Sequence, residues 1–250
     1  MPEFLAIIPA RYSSTRFPGK PLADIGGKSM IQRVYERVAS LLDHVIVATD
    51  DERIRDAVGK FGGVVIMTSP DHKSGTDRCA EALEKFEEKK KTSAEVVINI
   101  QGDEPFIRLD HISLLQSCFK DGKTEIATLI RPVDDESVIH DPNRPKVVIG
   151  KNGFAIYFSR SAIPYIRNGK RGEWHSHHTY YHHIGMYAYR ARILREITQL
   201  PPGRLELAES LEQLRWIENG YKIKTAITEY DSVSIDTPED LKKALQSGLL

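Results

Sequence analysis

Cysteine is scarce in this chain of 250 residues: Cys79 and Cys118 are the two present, far apart in sequence and in no CxxC spacing. That excludes a disulfide framework, and two plain thiols suit a reducing compartment, here the cytoplasm. Long apolar runs are also missing, so no segment supplies the roughly 20 residues of a membrane-spanning helix. The opening MPEFLAIIPAR has no basic stretch before a long apolar segment and no small-residue cleavage site, so no export is expected. Neither sign of charge is in excess, since Lys+Arg 35 balance Asp+Glu 35. A balanced chain has no general attraction for nucleic acid or an anionic membrane, and any phosphate must be held by a local pocket. What is present is 40% hydrophobic and 28% charged residues, without repeats or low-complexity segments. This describes one folded domain with a sizeable core and a small-molecule partner.

Short β-branched runs, Phe4 to Ile8, Val45 to Ala48, Val64 to Met67, Val96 to Ile100 and Ile126 to Ile130, read as buried parallel strands. Between them Met30, Ile31, Val34, Val38 and Leu41 recur at helical spacing, as do Ile54, Ala57, Val58 and Phe61, and then Ala80, Leu83 and Phe86. The βαβ alternation predicts an α/β protein built on a layered, mostly parallel sheet. From Lys146 to Arg190 the pattern changes to strand-like segments, Lys146 to Ile149, Phe154 to Ser159 and Ile184 to Tyr189, around a polar loop rich in His, Gly and Arg. This predicts a small antiparallel insertion, 146–190, within a domain spanning 1–250. A helix from Leu205 to Asn219, a strand from Lys222 to Thr228, a short strand from Val233 to Ile235 and a helix opened by Pro238 follow.

The first run ends in a basic, hydroxyl-rich loop, Pro9-Ala-Arg-Tyr-Ser-Ser-Thr-Arg-Phe-Pro-Gly-Lys20. Ligands of α/β sheets bind at the carboxyl ends of strands, where Arg11, Arg16 and Lys20 with backbone N–H groups can surround a polyphosphate. The alternative is a solvated basic connector. No GxGxxG follows the strand, and Gly27-Lys28-Ser29 has Leu22 where a Walker A loop needs its first glycine, so a dinucleotide fold and a P-loop are both unsupported. Asp103, in Asn99-Ile-Gln-Gly-Asp-Glu-Pro105, and Asp236, in Ser234-Ile-Asp-Thr-Pro238, each follow a predicted strand. Each is either a turn or cap residue or, as a pair beside a triphosphate loop, a ligand for Mg²⁺. The segment Asp71-His-Lys-Ser-Gly-Thr-Asp-Arg78 is either a capping turn or a wall that reads a base edge. Among His175, His177, His178, His182 and His183 there is neither a Cys partner nor HExxH spacing, so zinc is not expected. Lys89 to Lys91 read as a solvated helix end.

Seven ordered motifs, PARYSSTRFPGKPL, DHKSGTDR, NIQGDEP, YFSRSAIP, HIGMYAYR, LELAESLEQLR and DTPEDL, resemble those of the 3-deoxy-manno-octulosonate cytidylyltransferases, across nearly the whole chain. The resemblance implies a Rossmann-like nucleotidyltransferase fold that turns CTP and 3-deoxy-manno-octulosonate (Kdo) into CMP-Kdo and pyrophosphate for bacterial lipopolysaccharide. It also implies Mg²⁺ dependence, a cytoplasmic homodimer, and a sugar-binding and dimerisation role for the insertion. Carried over by motif, Ala10, Arg11, Ser14, Lys20, Ser74, Arg78, Gln101 and Asp103 would bind CTP. Asp103 and Asp236 would hold the metal and, with Lys20 and Arg11, form the catalytic set. Arg160, His183, Tyr187, Glu212 and Gln213 would meet the sugar acid. The opening loop differs from the IxARxGSKxxxxKN pattern of sialate enzymes, whereas an amino analogue of Kdo is compatible with every motif. No general base stands out, and the loop from Asn168 to His178 departs from the family pattern. A nucleotide sensor without turnover is the contrasting class, and it has no need of Lys20, Asp103 and Asp236 together.

Overall fold

A computed structural model describes residues 3–14, 16–91 and 93–246. Two compact units divide the chain, Met1–Ile112 with Ser232–Leu250, and Ser113–Asp231. The first unit runs β1 (Phe4–Ala10), a hairpin of β2 (Asp24–Ile25) and β3 (Lys28–Ser29), α1 (Met30–Ala39), β4 (Val45–Thr49), α2 (Glu52–Lys60), β5 (Val65–Met67), α3 (Gly75–Lys90) and β6 (Val96–Asn99). Its strands are all parallel, in the order β6-β1-β4-β5. Leu5, Ala6, Ile7 and Ile8 are wholly buried, as expected for a central parallel strand covered on both faces.

Local chemistry sets the helix starts. Ser29 accepts from Gln32 N to cap α1, and Met30, Ile31, Val34 and Val38 turn one stripe of that helix inward. Asp51 caps α2 through Arg53 N, and Ser74 and Asp77 form a reciprocal capping box on α3. Ser74 therefore forms the capping turn, its Oγ accepting from Asp77 N and its hydroxyl proton left to donate.

The division between the units falls inside α4 (Leu109–Cys118). The second unit continues with β7 (Ile126–Pro132), α5 (Glu136–His140), β8 (Lys146–Ile149), β9 (Ala155–Ser159), α6 (Trp174–His177), β10 (Tyr181–Arg190), α7 (Ala191–Ile197), α8 (Arg204–Glu209), α9 (Gln213–Glu218) and β11 (Ile223–Ile227). Here β10 lies antiparallel to β7, and β11 lies parallel to β7 on its other side. The fifth predicted strand thus has one antiparallel neighbour, which its sequence did not signal. Within 146–190, β8 pairs antiparallel with β9, and β10 meets β8 at His182 and Lys146. A bulge between Ile184 and Tyr187 leaves His183 and Tyr187 opposite Ile130 and Thr128, on one face of β7. The His183 ring packs against Phe158 and Tyr187, and its Nε2 lies 2.9 Å from Thr128 Oγ1.

The chain then returns to the first unit, where the described residues close with α10 (Pro238–Gln246). Two expectations are corrected. The helix expected from Leu205 to Asn219 is two, because Ser210 closes α8 with φ 52, a left-handed residue that stops the ladder. No strand forms over Val233–Ile235; instead Ile235 N donates to Asp103 O at 2.9 Å.

Ile7→Ala should lower unfolding free energy by about 2–5 kcal/mol in urea melts, the cost of a cavity in a closed core. Ile156→Ala, 57% exposed, should change it by no more than about 0.5 kcal/mol. Burial pushes the His183 imidazole down from 6.5 to about 3, with His182 adding to the shift. Between those values the unfolded chain takes up a proton that the folded chain refuses, so stability is complete above the unfolded pKa and is lost as pH falls through it. The urea midpoint of His183→Gln should therefore drop less than that of the unsubstituted protein between about pH 7.5 and about pH 5.

Candidate active site

A cleft of about 270 Å³ opens in the first unit at the carboxyl ends of β1 and β6. Ala10 at the end of β1 and Arg11, Ser14, Arg16 and Lys20 from the loop after it line it, with His72 and Ser74 from the turn before α3, Arg78 from the first turn of α3, Gln101 and Asp103 from the turn after β6, and Asp236 from the returning chain. All eight residues expected at CTP thus share one cavity, with Asp236 beside them. Two glycines make it possible. A Cβ on Gly102 would sit 2.9 Å from Pro9 O, so the ends of β1 and β6 approach this closely only with glycine there. Gly19, at φ 71, reverses the basic loop while its N–H donates to Tyr12 O at 2.9 Å. The Arg53 guanidinium lies 3.3 Å over the Tyr12 ring, bracing that turn.

The electrostatic centre is Lys20. Its ammonium donates to Asp103 Oδ2 at 2.6 Å and to Asp236 Oδ1 at 3.2 Å. Arg16 adds a second cation to Asp236 Oδ1 at 3.1 Å. Asp236 is not the helix cap. Thr237 Oγ1 accepts from Asp240 N, and Asp240 Oδ2 accepts from Thr237 N and Asp236 N, so this capping pair leaves the Asp236 carboxylate turned to the cleft. Next to Asp103, Glu104 is buried, and burial together with the Asp103 charge pushes its carboxyl up to about 7. Ser14 Oγ accepts from Phe17 N at 3.4 Å, so this hydroxyl also shapes its loop.

Two carboxylates that converge on one ammonium form an all-oxygen donor set, suited to a hard divalent cation. Among the described residues no group of three or more His, Cys, Asp or Glu side chains could hold a metal. A pair of carboxylates that leaves the remaining positions to water and phosphate oxygens is the usual protein contribution to a Mg²⁺ site, so the residues fit that ion.

Sequence reasoning missed the supports behind these groups. Arg78 is buried against Thr68 and Asp50, and Glu81 accepts from Ser69 N while contacting His72 and Lys85. Those contacts hold the Glu81 carboxyl at about 2, against the upward push of burial. Asp50 in Val-Ala-Thr-Asp-Asp, an acid straight after a buried strand, was the one available signal.

The residues expected at the sugar lie in the second unit. His183 and Tyr187 touch at 5.2 Å between ring centroids, and Tyr187 meets Trp216 of α9 edge-on. Glu212, at the start of α9, is near enough to add to the burial that raises the Tyr187 pKa. Gln213 is buried, and its Nε2 has no hydrogen-bond partner among the described residues. Arg160 is committed to structure, since its guanidinium donates to the carbonyls of Glu209, Ser210 and Pro142.

Residues 5–223 match the family model for cytidylyltransferases. The chain is 61% identical over 98% of both chains to a 3-deoxy-manno-octulosonate cytidylyltransferase of Parabacteroides distasonis. It is 48% identical to an 8-amino-3,8-dideoxy-manno-octulosonate cytidylyltransferase of a Shewanella strain, over 96% of both chains. A solved CMP:2-keto-3-deoxy-manno-octonic acid synthetase in complex with CTP superimposes with a TM-score of 0.88 at 43% identity, covering 98% of each chain. Matched to that family model over most of its length and to these relatives along nearly all of it, the chain belongs to the cytidylyltransferase family, among the 3-deoxy-manno-octulosonate cytidylyltransferases.

Proposed function

We propose that this protein transfers CMP from CTP to the 2-hydroxyl of Kdo, releasing pyrophosphate, with Mg²⁺ as its cofactor. The observation that carries the reading is the convergence of Asp103 and Asp236 on Lys20 in a cleft that the basic loop after β1 also lines. In this reaction the hydroxyl oxygen attacks the α-phosphorus and gives up its proton to water. The bond from that phosphorus to the bridging oxygen breaks on the opposite side, and pyrophosphate leaves with the electron pair.

The obstacle is electrostatic, because an acidic sugar must approach a triphosphate. Arg11 and Lys20 offset that repulsion and meet the charge that grows on the departing pyrophosphate. Lys20 is paired with both aspartates, and a divalent cation held by those carboxylates would free its ammonium for the phosphates. When bound at the aspartates, Mg²⁺ supplies neutralisation of phosphate oxygens and acidification of a coordinated hydroxyl. Ser74, Arg78 and Gln101 are assigned to the cytidine, and the face bearing His183, Tyr187, Glu212 and Gln213 to the sugar. A His183 imidazole kept neutral by burial offers hydrogen bonding there without another cation. Arg160 is assigned to support that face through the carbonyls it binds.

The first test is pyrophosphate release from CTP and Mg²⁺ with Kdo, 8-amino-Kdo and sialic acid in parallel. Release should be fastest with Kdo and should stop with a chelator. Release with 8-amino-Kdo alone would overturn the sugar, and silence with all three would overturn the transferase reading. Asp103→Asn should lower kcat roughly a hundredfold or more while the melting temperature stays close to that of the unsubstituted protein. Near-normal turnover in that variant would remove Asp103 from the metal site.

A further inference from the structure

Arg78 lines the cleft yet is 5% exposed, and one end of its guanidinium is already engaged. Nη1 donates to Thr68 Oγ1 at 2.6 Å and lies 3.2 Å from Asp50 Oδ1. Asp50 follows β4 and Thr68 follows β5, so two neighbouring parallel strands deliver the two oxygens side by side. A backbone bond from Thr68 N to Thr49 O, 2.8 Å, ties those strand ends together. Arg78 itself stands in the first turn of α3, which the Ser74–Asp77 capping box fixes. Three element ends therefore converge on one side chain. An arginine anchored at Nη1 keeps Nε and Nη2 as a rigid pair of donors, and an arginine has no acceptor to offer.

Cytosine presents two adjacent acceptors, O2 and N3. Uracil has the same O2 but a hydrogen on N3, which would oppose one donor of such a pair. We propose that Asp50 and Thr68 are positioning residues that aim the remaining donors of Arg78 at the nucleobase and so make the site select cytosine over uracil. This rests on the assignment of Ser74, Arg78 and Gln101 to the cytidine. Neither residue touches substrate: both act through Arg78, and selectivity follows because a buried donor that meets another donor is left unpaired.

The test compares kcat and KM for CTP and UTP, with Kdo and Mg²⁺ held constant, in Thr68→Val, Thr68→Ser, Asp50→Asn and Arg78→Gln, each checked by a thermal melt. Thr68→Val and Asp50→Asn should raise KM for CTP and lower the CTP-over-UTP ratio of kcat/KM roughly tenfold. Their kcat for CTP should stay within about twofold. Thr68→Ser, which keeps the accepting oxygen, should restore the ratio. A ratio that collapses in Arg78→Gln but survives in both Thr68→Val and Asp50→Asn overturns the positioning role and leaves the cytidine assignment standing. A ratio that survives Arg78→Gln as well overturns the cytidine assignment itself.

Discussion

The first unit is organised around one ammonium group placed between two carboxylates. Lys20 reaches Asp103 and Asp236 from a loop, a strand end and the segment before the last helix, so three remote stretches must arrive together for the contact to exist. Unpaired, the carboxylates would repel each other in a partly enclosed cleft, and Lys20 would be an uncompensated, half-buried charge. The surrounding features serve that meeting: Gly19 turns the loop, Gly102 admits β6 close to β1, and the Thr237–Asp240 capping pair leaves Asp236 available.

The same arrangement explains a division of labour between charge and burial. Groups assigned to phosphate are partly exposed, where substrate can exchange water for protein contacts. Groups behind them, such as Arg78, Thr68 and Glu104, are buried, where partners are fixed and dielectric screening is weak. In the second unit the order is reversed: Tyr187 and Gln213, assigned to the sugar, are buried, while Arg160, tied to backbone carbonyls, is more exposed.

Much of this was legible in the amino-acid order. Buried parallel strands are continuous β-branched runs, and β1, β4, β5 and β6 fall within a residue or two of where such runs predict them. The cleft residues could be named because they sit in compact motifs at strand ends. What stayed hidden depends on tertiary context. Val233 and Ile235 look like a strand, but their segment contributes one backbone bond and no ladder. Ser210 breaks a helix by adopting a left-handed conformation that serine does not advertise. Asp50 and Thr68 belong to other elements than Arg78, and their common approach to its guanidinium appears only once β4 and β5 are side by side.

The chain leaves the first unit inside α4 and returns only at Ser232. Lys20 and Asp103 are therefore synthesised long before Asp236, and more than half the chain emerges from the ribosome between the two acids. A nascent chain can assemble the four-stranded parallel sheet and still lack one side of its ion pair. Closing so long a loop costs only slightly more entropy than closing a short one, because the cost grows with the logarithm of length. The bond from Ile235 N to Asp103 O marks where that closure is made. The acidic pair is thus completed only after the second unit has been synthesised, and a chain terminated before Asp236 carries the basic loop without the second acid that completes its charge balance.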